Sequence, residues 1–165
     1  MKKRKKNKVR AEIKTLNELK NQEPVYLNDW EESEKIGLLA AFEDIHITKE
    51  NYEATEAPPH QDESHWSAMK YMMDSTLRKY KNVNILFASS SRNGYNGYAW
   101  VLFEENGKLY EVNGIYASIY GLSEQWNKEP VVLIELQNRL EKGTFGTSWN
   151  QENVFAAELK AFLGL

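Results

Sequence analysis

A chain of 165 residues, 41% of them hydrophobic and 12% aromatic, is long enough to bury a core and lacks the composition of a disordered protein. It contains no cysteine, which excludes disulfides, cysteine-ligated zinc and thiol catalysis. Its apolar runs are far shorter than the ~20 residues of a membrane-spanning helix. We therefore expect a cytoplasmic protein that does not enter a membrane.

The net charge of −3 conceals a strong asymmetry along the chain. Residues 1–10 carry seven basic side chains and no acid, so the rest of the chain has a net charge of −10. The basic residues are Lys2, Lys3, Arg4, Lys5, Lys6, Lys8 and Arg10. Because Val9 is the one apolar residue after the initial Met, we predict a disordered basic tail over 1–10 and a single α+β domain over 11–165.

Apolar residues at helical spacing predict three helices in the first half of the chain. The predicted helices span about 11–20, 28–44 and 62–80. Asn28 is a favourable N-cap for the second helix, with Glu31 three residues later in the capping-box position. Asp62 or Ser64 is the predicted N-cap of the third helix, after a polar loop.

Three short strands are predicted next, over 83–88, 98–104 and 108–112. Asn106-Gly107 joins the last two, and both central residues of a type I′ hairpin turn need the positive φ that this pair tolerates best. In that register Phe103 faces Tyr110. The link over 89–97 is long for a hairpin and is predicted to be flexible.

Two more helices are predicted near the C-terminus, from Pro130 to Gly143 and over about 151–163. The predicted fold class is therefore α+β, with a three-stranded antiparallel β meander packed against several α-helices. We expect the helices to cover one face of the sheet.

The sequence lacks the common catalytic and phosphate-binding motifs. His60, Asp62, Glu63 and His65 are metal-capable, but five residues turn a helix by about 140°, so the two histidines do not share a helix face. The serines at 89–91 follow a strand without a nucleophile-elbow pattern and are interpreted as a polar hairpin loop. We predict no metal site, no cofactor and no enzymatic activity.

Two surfaces are candidates for binding a protein partner. The loop over 92–98 carries residue types that are enriched in binding hot spots, namely Arg92, Tyr95 and Tyr98. Residues 28–65 hold eleven acidic side chains against two lysines, and such a field attracts a basic protein. The candidate acidic contacts are Glu31, Glu32, Glu34 and Asp44. The plainer alternatives are an ordinary glycine-rich turn and a solvated acidic helix start.

A stretch in the second half of the chain resembles a family of small uncharacterised proteins from phages, prophages and mobile elements of Firmicutes. The resemblance covers about 83–145 and includes the motifs Lys108-Leu109-Tyr110-Glu111-Val112-Asn113-Gly114, Tyr120-Gly121-Leu122, Gln125-Trp126 and Leu140-Glu141-Lys142-Gly143. Family members often carry a His and two Cys where this chain has Tyr116, Ala117 and Ile119. The resemblance therefore implies a biological setting and no reaction.

Two hypotheses about function follow. In the first, the chain is a phage or mobile-element accessory protein that acts by binding a host protein and has no catalytic activity. One such target is a host defence nuclease, which would make the chain an inhibitor of the anti-CRISPR or anti-restriction type. In the second, it is a DNA-binding regulator whose basic tail contacts phosphates. An enzyme ranks third, because no nucleophile–base pair or metal cluster is visible in the sequence. The sequence does not indicate an oligomeric state.

Deletion of residues 1–10 is predicted to leave the melting temperature nearly unchanged, because the tail has no apolar periodicity with which to pack. Thermal unfolding of the full-length and truncated proteins, followed by circular dichroism, measures this. A large drop in melting temperature on truncation would show that the tail packs against the domain.

Overall fold

The computed structural model describes residues 11–165, so the predicted tail lies outside the described residues. The described part contains six helices and a five-stranded sheet. The helices are α1 Leu16–Lys20, α2 Glu34–Phe42, α3 Lys49–Glu53, α4 Glu63–Lys79, α5 Leu133–Lys142 and α6 Ala156–Leu163. The strands are β1 Val25–Asn28, β2 Val83–Asn93, β3 Asn96–Glu105, β4 Lys108–Tyr116 and β5 Lys128–Pro130.

The strands lie in the sheet in chain order, β1-β2-β3-β4-β5. β1 is parallel to β2, and the other neighbours are antiparallel. The α+β class is confirmed, but the prediction of three strands is wrong. It missed β1 and β5, which contain four and three residues and draw their stability from pairing with their longer neighbours.

Helices cover both faces of the sheet, so the expectation of one covered face is also wrong. On β3, Val101 and Phe103 pack with α2 and α4, whereas Trp100 and Leu102 pack with α1, α5 and α6. We call these sides the α4 face and the α6 face. Burial of both faces explains why β3 is an unbroken apolar run and not an alternating one.

A β-bulge in β2 adapts this strand to its two covered faces. The pairing with β3 shifts between Ile85 and Phe87, which leaves Leu86 as an extra residue. Leu86 and Phe87 therefore both pack on the α6 face, while Ile85 packs on the α4 face.

The start of the second predicted helix was misplaced by the sequence analysis. Asn28, the expected N-cap, is the last residue of β1 and has a φ of 59°. Its side chain donates to Ser89 Oγ at 2.8 Å, and α2 begins six residues later at Glu34. The Asn28 carboxamide therefore hydrogen-bonds within the sheet and does not cap a helix, because β1 pairs with the buried part of β2.

Both hairpin turns contain two residues. Asn106 and Gly107 have φ values of 52° and 80°, which confirms the type I′ turn, and the Phe103 and Tyr110 rings stack with centroids 5.7 Å apart. The predicted flexible link over 89–97 is wrong, because β2 and β3 continue to a tight turn at Gly94-Tyr95. A positive φ at Gly94 alone matches the type II′ pattern.

Gly107→Val is predicted to reduce the free energy of unfolding by about 1–3 kcal/mol, because it places a β-branched residue at a φ of 80°. Gly143→Val is the matched control. Both glycines border open space, but Gly143 has a φ of −163°, which any residue adopts. Urea midpoints of the two variants measure the difference. Equal midpoints would contradict backbone strain at Gly107.

Candidate functional site

The helices leave one end of the sheet uncovered, and a groove of about 960 Å³ lies there on the α6 face. This is the end that carries the Gly94-Tyr95 turn. Three side chains cross the floor of the groove in register, because Ser91 pairs with Tyr98 and Tyr98 pairs with Ile115. Tyr98 is 72% exposed and Ile115 is 53% exposed. The groove therefore has an accessible, partly apolar floor.

The wall of the groove is the segment 144–155, which connects α5 to α6 and presents Trp149. The side chain of Trp149 is 96% exposed. Trp is enriched in binding hot spots, because the indole contributes a larger contact area than most side chains. Trp149 is consequently the leading hot-spot candidate of this surface.

Hydrogen bonds fix the shape of the segment 144–155. The Gly146 carbonyl accepts from the backbone N–H groups of Val154, Phe155 and Ala156 at 2.9–3.1 Å, which also satisfies the first turn of α6. Gly146 has a φ of 75°, and a Cβ there would lie 2.9 Å from the Ala156 backbone, so only glycine fits. Trp149 is thus displayed by an ordered segment, which lowers the entropy cost of binding.

Aromatic packing fastens this segment to the sheet. The Trp100 ring stacks on Phe155 with centroids 5.3 Å apart and meets Phe145 edge-on at 5.3 Å. Trp100 Nε1 donates to the buried Glu111 carboxylate at 2.7 Å. Arg139 donates to both oxygens of Glu111 at 2.7 and 2.8 Å. The guanidinium of Arg139 also lies 4.2 Å from the Phe145 ring centroid, so one carboxylate organises the base of the groove.

The groove lining contains no charged side chain among the residues that the structure describes. Its polar groups are hydroxyls and carboxamides, including those of Ser91, Asn93, Asn96, Asn113, Thr147 and Gln151. The remainder of the chain outside the tail carries a net charge of −10. A neutral, aromatic and amide-rich groove of this kind offers apolar contact and hydrogen bonds but no ionic group to a ligand.

A second cavity lies on the α4 face of the same sheet end, with a volume of about 720 Å³. Its polar lining residues are Asp29, Ser90, Arg92 and Tyr116 on one side and Ser33, His46 and Thr48 on the other. Ser90 Oγ lies 3.2 Å from Asp29 Oδ2 and 2.8 Å from the Tyr116 hydroxyl. Burial, and to a smaller extent the Asp29 charge, raise the pKa of Tyr116, so its hydroxyl is protonated at neutral pH. We call this cavity the α4-face cleft.

The structure separates the predicted partner-binding residues. Arg92 lines the α4-face cleft, Tyr98 lines the groove on the opposite face, and the exposed Tyr95 lies in the turn between them. The four predicted acids are exposed on the α2 side of the sheet, where Glu34 pairs with Lys49 at 2.8 Å and Asp44 lies 3.5 Å from His46. The seven basic residues of the predicted nucleic-acid contact lie outside the described residues.

Sequence reasoning missed Trp149 and its supporting segment. The signal available was one large aromatic residue within the polar run Thr147-Ser148-Trp149-Asn150, which precedes the helix predicted over about 151–163. An isolated Trp in such a run has no core position to occupy. Its exposure could therefore have been predicted, but its proximity to Tyr98 could not.

Among residues 11–165, no group of three or more His, Asp or Glu side chains is placed to hold a metal ion. None of the six helices is both long and apolar enough to cross a bilayer. The hydroxyls of Ser89 and Ser90 are engaged by Asn28 and Asp29, respectively.

Glu111→Gln is predicted to reduce the free energy of unfolding by about 1–3 kcal/mol at neutral pH, because it weakens the charged hydrogen bonds to Arg139. Burial alone would raise the pKa of Glu111, but the hydrogen bonds from Arg139 and Trp100 outweigh it and hold the pKa below its ordinary value. The wild-type advantage is therefore present above about pH 4 and disappears as the pH falls through the lowered folded pKa.

Urea midpoints of wild type and Glu111→Gln at pH 7 and pH 3 measure this effect. Glu135→Gln is the control, because Glu135 is an exposed acid on α5. Equal stability of wild type and Glu111→Gln at pH 7 would show that the carboxylate does not organise the base of the groove.

Comparisons of the chain with protein-family models, with curated proteins and with solved structures found no match. The resemblance over 83–145 therefore stays a prediction. Of the two cavities described, the charge-free groove with its exposed Trp149 is the larger.

Proposed function

We propose that the protein acts by binding a host protein through the groove on the α6 face. The observation that carries the proposal is the 96% exposed Trp149, which a hydrogen-bonded segment displays in the same groove as Tyr98. Tyr and Trp with surrounding Ser, Gly and Asn form the composition of antibody binding sites, where rigid aromatic anchors work with adaptable hydrogen-bonding groups. Lining residues of these types dominate the groove.

The partner surface that suits this groove is uncharged and contains an apolar anchor. The groove has no charged lining residue, so it offers no ionic partner to a buried charge. Desolvating a Lys or Asp of the partner there would cost more than it gains. The carboxamides and hydroxyls of the lining would instead pair with backbone or amide groups of the partner.

The biological setting rests on the resemblance over 83–145. That setting makes a host defence nuclease the first partner to test and inhibition of it the expected effect. On this proposal the protein performs no catalysis of its own and needs no cofactor. The acidic residues Glu31, Glu32 and Asp44 would then attract a basic partner over a distance, while the neutral groove makes the close contact.

Trp149→Ala is predicted to lower the affinity for the partner by a factor of about 30 or more, because it removes a hot-spot side chain. The matched control is Tyr71→Ala, which removes another exposed aromatic ring, 71% exposed, from α4. Neither substitution should change the melting temperature, since neither ring is buried.

The partner is first isolated with immobilised wild-type protein, with the Trp149→Ala and Tyr71→Ala proteins as parallel baits. The isolated protein is then purified and titrated calorimetrically with each variant. Loss of affinity with Trp149→Ala and Tyr98→Ala, but not with Tyr71→Ala, is the expected result. Wild-type affinity in both groove variants would overturn the proposal.

DNA binding by the basic tail remains the alternative, because seven basic residues in 1–10 could contact phosphates. A gel-shift titration of full-length and tail-deleted protein at two salt concentrations tests it. For seven contacts, the logarithm of affinity should fall with the logarithm of salt at a slope of about −0.9 per contact. Tight, tail-dependent binding near physiological salt would favour a DNA-binding regulator over the protein partner.

A further inference from the structure

The α4-face cleft lies where the parallel strands of this sheet end. β1 and β2 are the parallel pair, Asp29 follows the last residue of β1, and Ser90 and Arg92 lie near the end of β2. The cleft has a volume of about 720 Å³ and is broadly open to solvent.

The Tyr116 hydroxyl, the Ser90 hydroxyl and the Asp29 carboxylate are hydrogen-bonded in series along the inner wall of the cleft, and the donor of each bond can be assigned. The Ser90 side chain is fully buried, and its one hydroxyl proton goes to Asp29 because a carboxylate can only accept. Tyr116 must then donate its own proton to Ser90. The remaining hydrogen-bonding capacity of Asp29 and of the Tyr116 oxygen is acceptor capacity, which suits the several N–H groups of an ammonium ion.

Arg92 supplies a positive group to the same cleft. Its Nε donates to the Gly94 carbonyl at 2.7 Å, and its guanidinium lies 5.1 Å from the Tyr116 ring centroid. These contacts orient the side chain without using its two terminal nitrogens. Within residues 11–165 no ion pair joins Arg92 to Asp29. A planar guanidinium of this kind is matched by a carboxylate.

The rest of the cleft has a mixed lining, in which Ser33, His46 and Thr48 are polar and the other side chains are apolar. Ala40, Ala41 and Ile45 line it from α2 and the residues that follow α2, and Ile47 and Trp30 complete the apolar side. The cleft therefore contains two hydrogen-bond acceptors, the Asp29 carboxylate and the Tyr116 oxygen, together with the Arg92 guanidinium and an aliphatic surface.

We propose that the α4-face cleft binds a free α-amino acid with an aliphatic side chain. The ammonium group would bind Asp29 and the Tyr116 oxygen, the carboxylate would bind Arg92, and the side chain would pack against Ala40, Ala41 and Ile45. Each half of the zwitterion meets the opposite charge, and its apolar part meets the apolar wall. This site is separate from the groove on the α6 face and does not depend on the proposed protein partner.

The test is a calorimetric titration of the full-length protein with leucine. Saturable binding with a dissociation constant of about 1 mM or tighter is expected. Leucine methyl ester lacks the carboxylate and 4-methylpentanoic acid lacks the ammonium group. Each should bind at least tenfold more weakly than leucine, because each loses one charge-assisted contact.

Asp29→Asn and Arg92→Gln should each weaken leucine binding at least tenfold. Asn still accepts from Ser90, so Asp29→Asn changes charge and not shape. Glu32→Gln and Arg78→Gln are the controls, since they change the net charge equally at exposed residues outside the cleft. Both controls should bind leucine within about twofold of wild type.

Three results would overturn the inference. The first is the absence of saturable binding of leucine, valine or isoleucine at about 10 mM. The second is equal binding of leucine, leucine methyl ester and 4-methylpentanoic acid, and the third is unchanged leucine binding in Asp29→Asn and Arg92→Gln proteins that circular dichroism shows to be folded. Because no partner protein is present in this titration, its outcome is independent of the Trp149→Ala experiment.

Discussion

The arrangement of the α6 face depends on the contact between Trp100 and Glu111. The carboxylate of Glu111 is buried, so it is tolerated only because Trp100 and Arg139 both donate to it. The same contacts fix the Trp100 ring against Phe145 and Phe155, the two aromatic residues of the segment 144–155. One ionised group therefore connects β3, β4, α5 and the segment that displays Trp149.

The two cavities arise from a single feature of the architecture. The β2–β3 hairpin extends beyond the helices that cover the rest of the sheet, so its two faces become accessible near the Gly94-Tyr95 turn. The α6 face of this extension forms a neutral, aromatic groove, and the α4 face forms a cleft with both an acid and a base. Alternation of side chains along the strands sends Tyr98 to one cavity and Arg92 to the other.

Local signals predicted the elements whose stability is mostly local. The 17-residue helix α4, capped by Asp62, and the Asn106-Gly107 hairpin were both predicted, because caps and positive-φ turns act over a few residues. The unbroken apolar run of β3 could also have indicated a sheet covered on both faces. By contrast, β1 was missed because its pairing partners in β2 are about sixty residues away in the sequence.

Of the candidate site residues, the sequence indicated residue types but not their grouping. It singled out Arg92, Tyr95 and Tyr98 as binding residues from one loop, and the alternation of the strands distributes them over two faces. It gave no reason to associate Trp149 with Tyr98, or Asp29 with Tyr116, because the members of each pair are distant in the sequence and line one cavity only in the folded chain.

The sequence by itself determined the α+β class, the hairpin at Asn106-Gly107, the helix over 63–79 and the charge asymmetry between 1–10 and the rest of the chain. Only the tertiary structure decided the number of strands, the coverage of both sheet faces and the composition of the two cavities. The physical reason is the sequence separation of the interacting residues. Caps, turns and charge counts depend on neighbouring residues. By contrast, β1, the bulge at Leu86 and the support of Trp149 depend on contacts that form only when distant segments pack together.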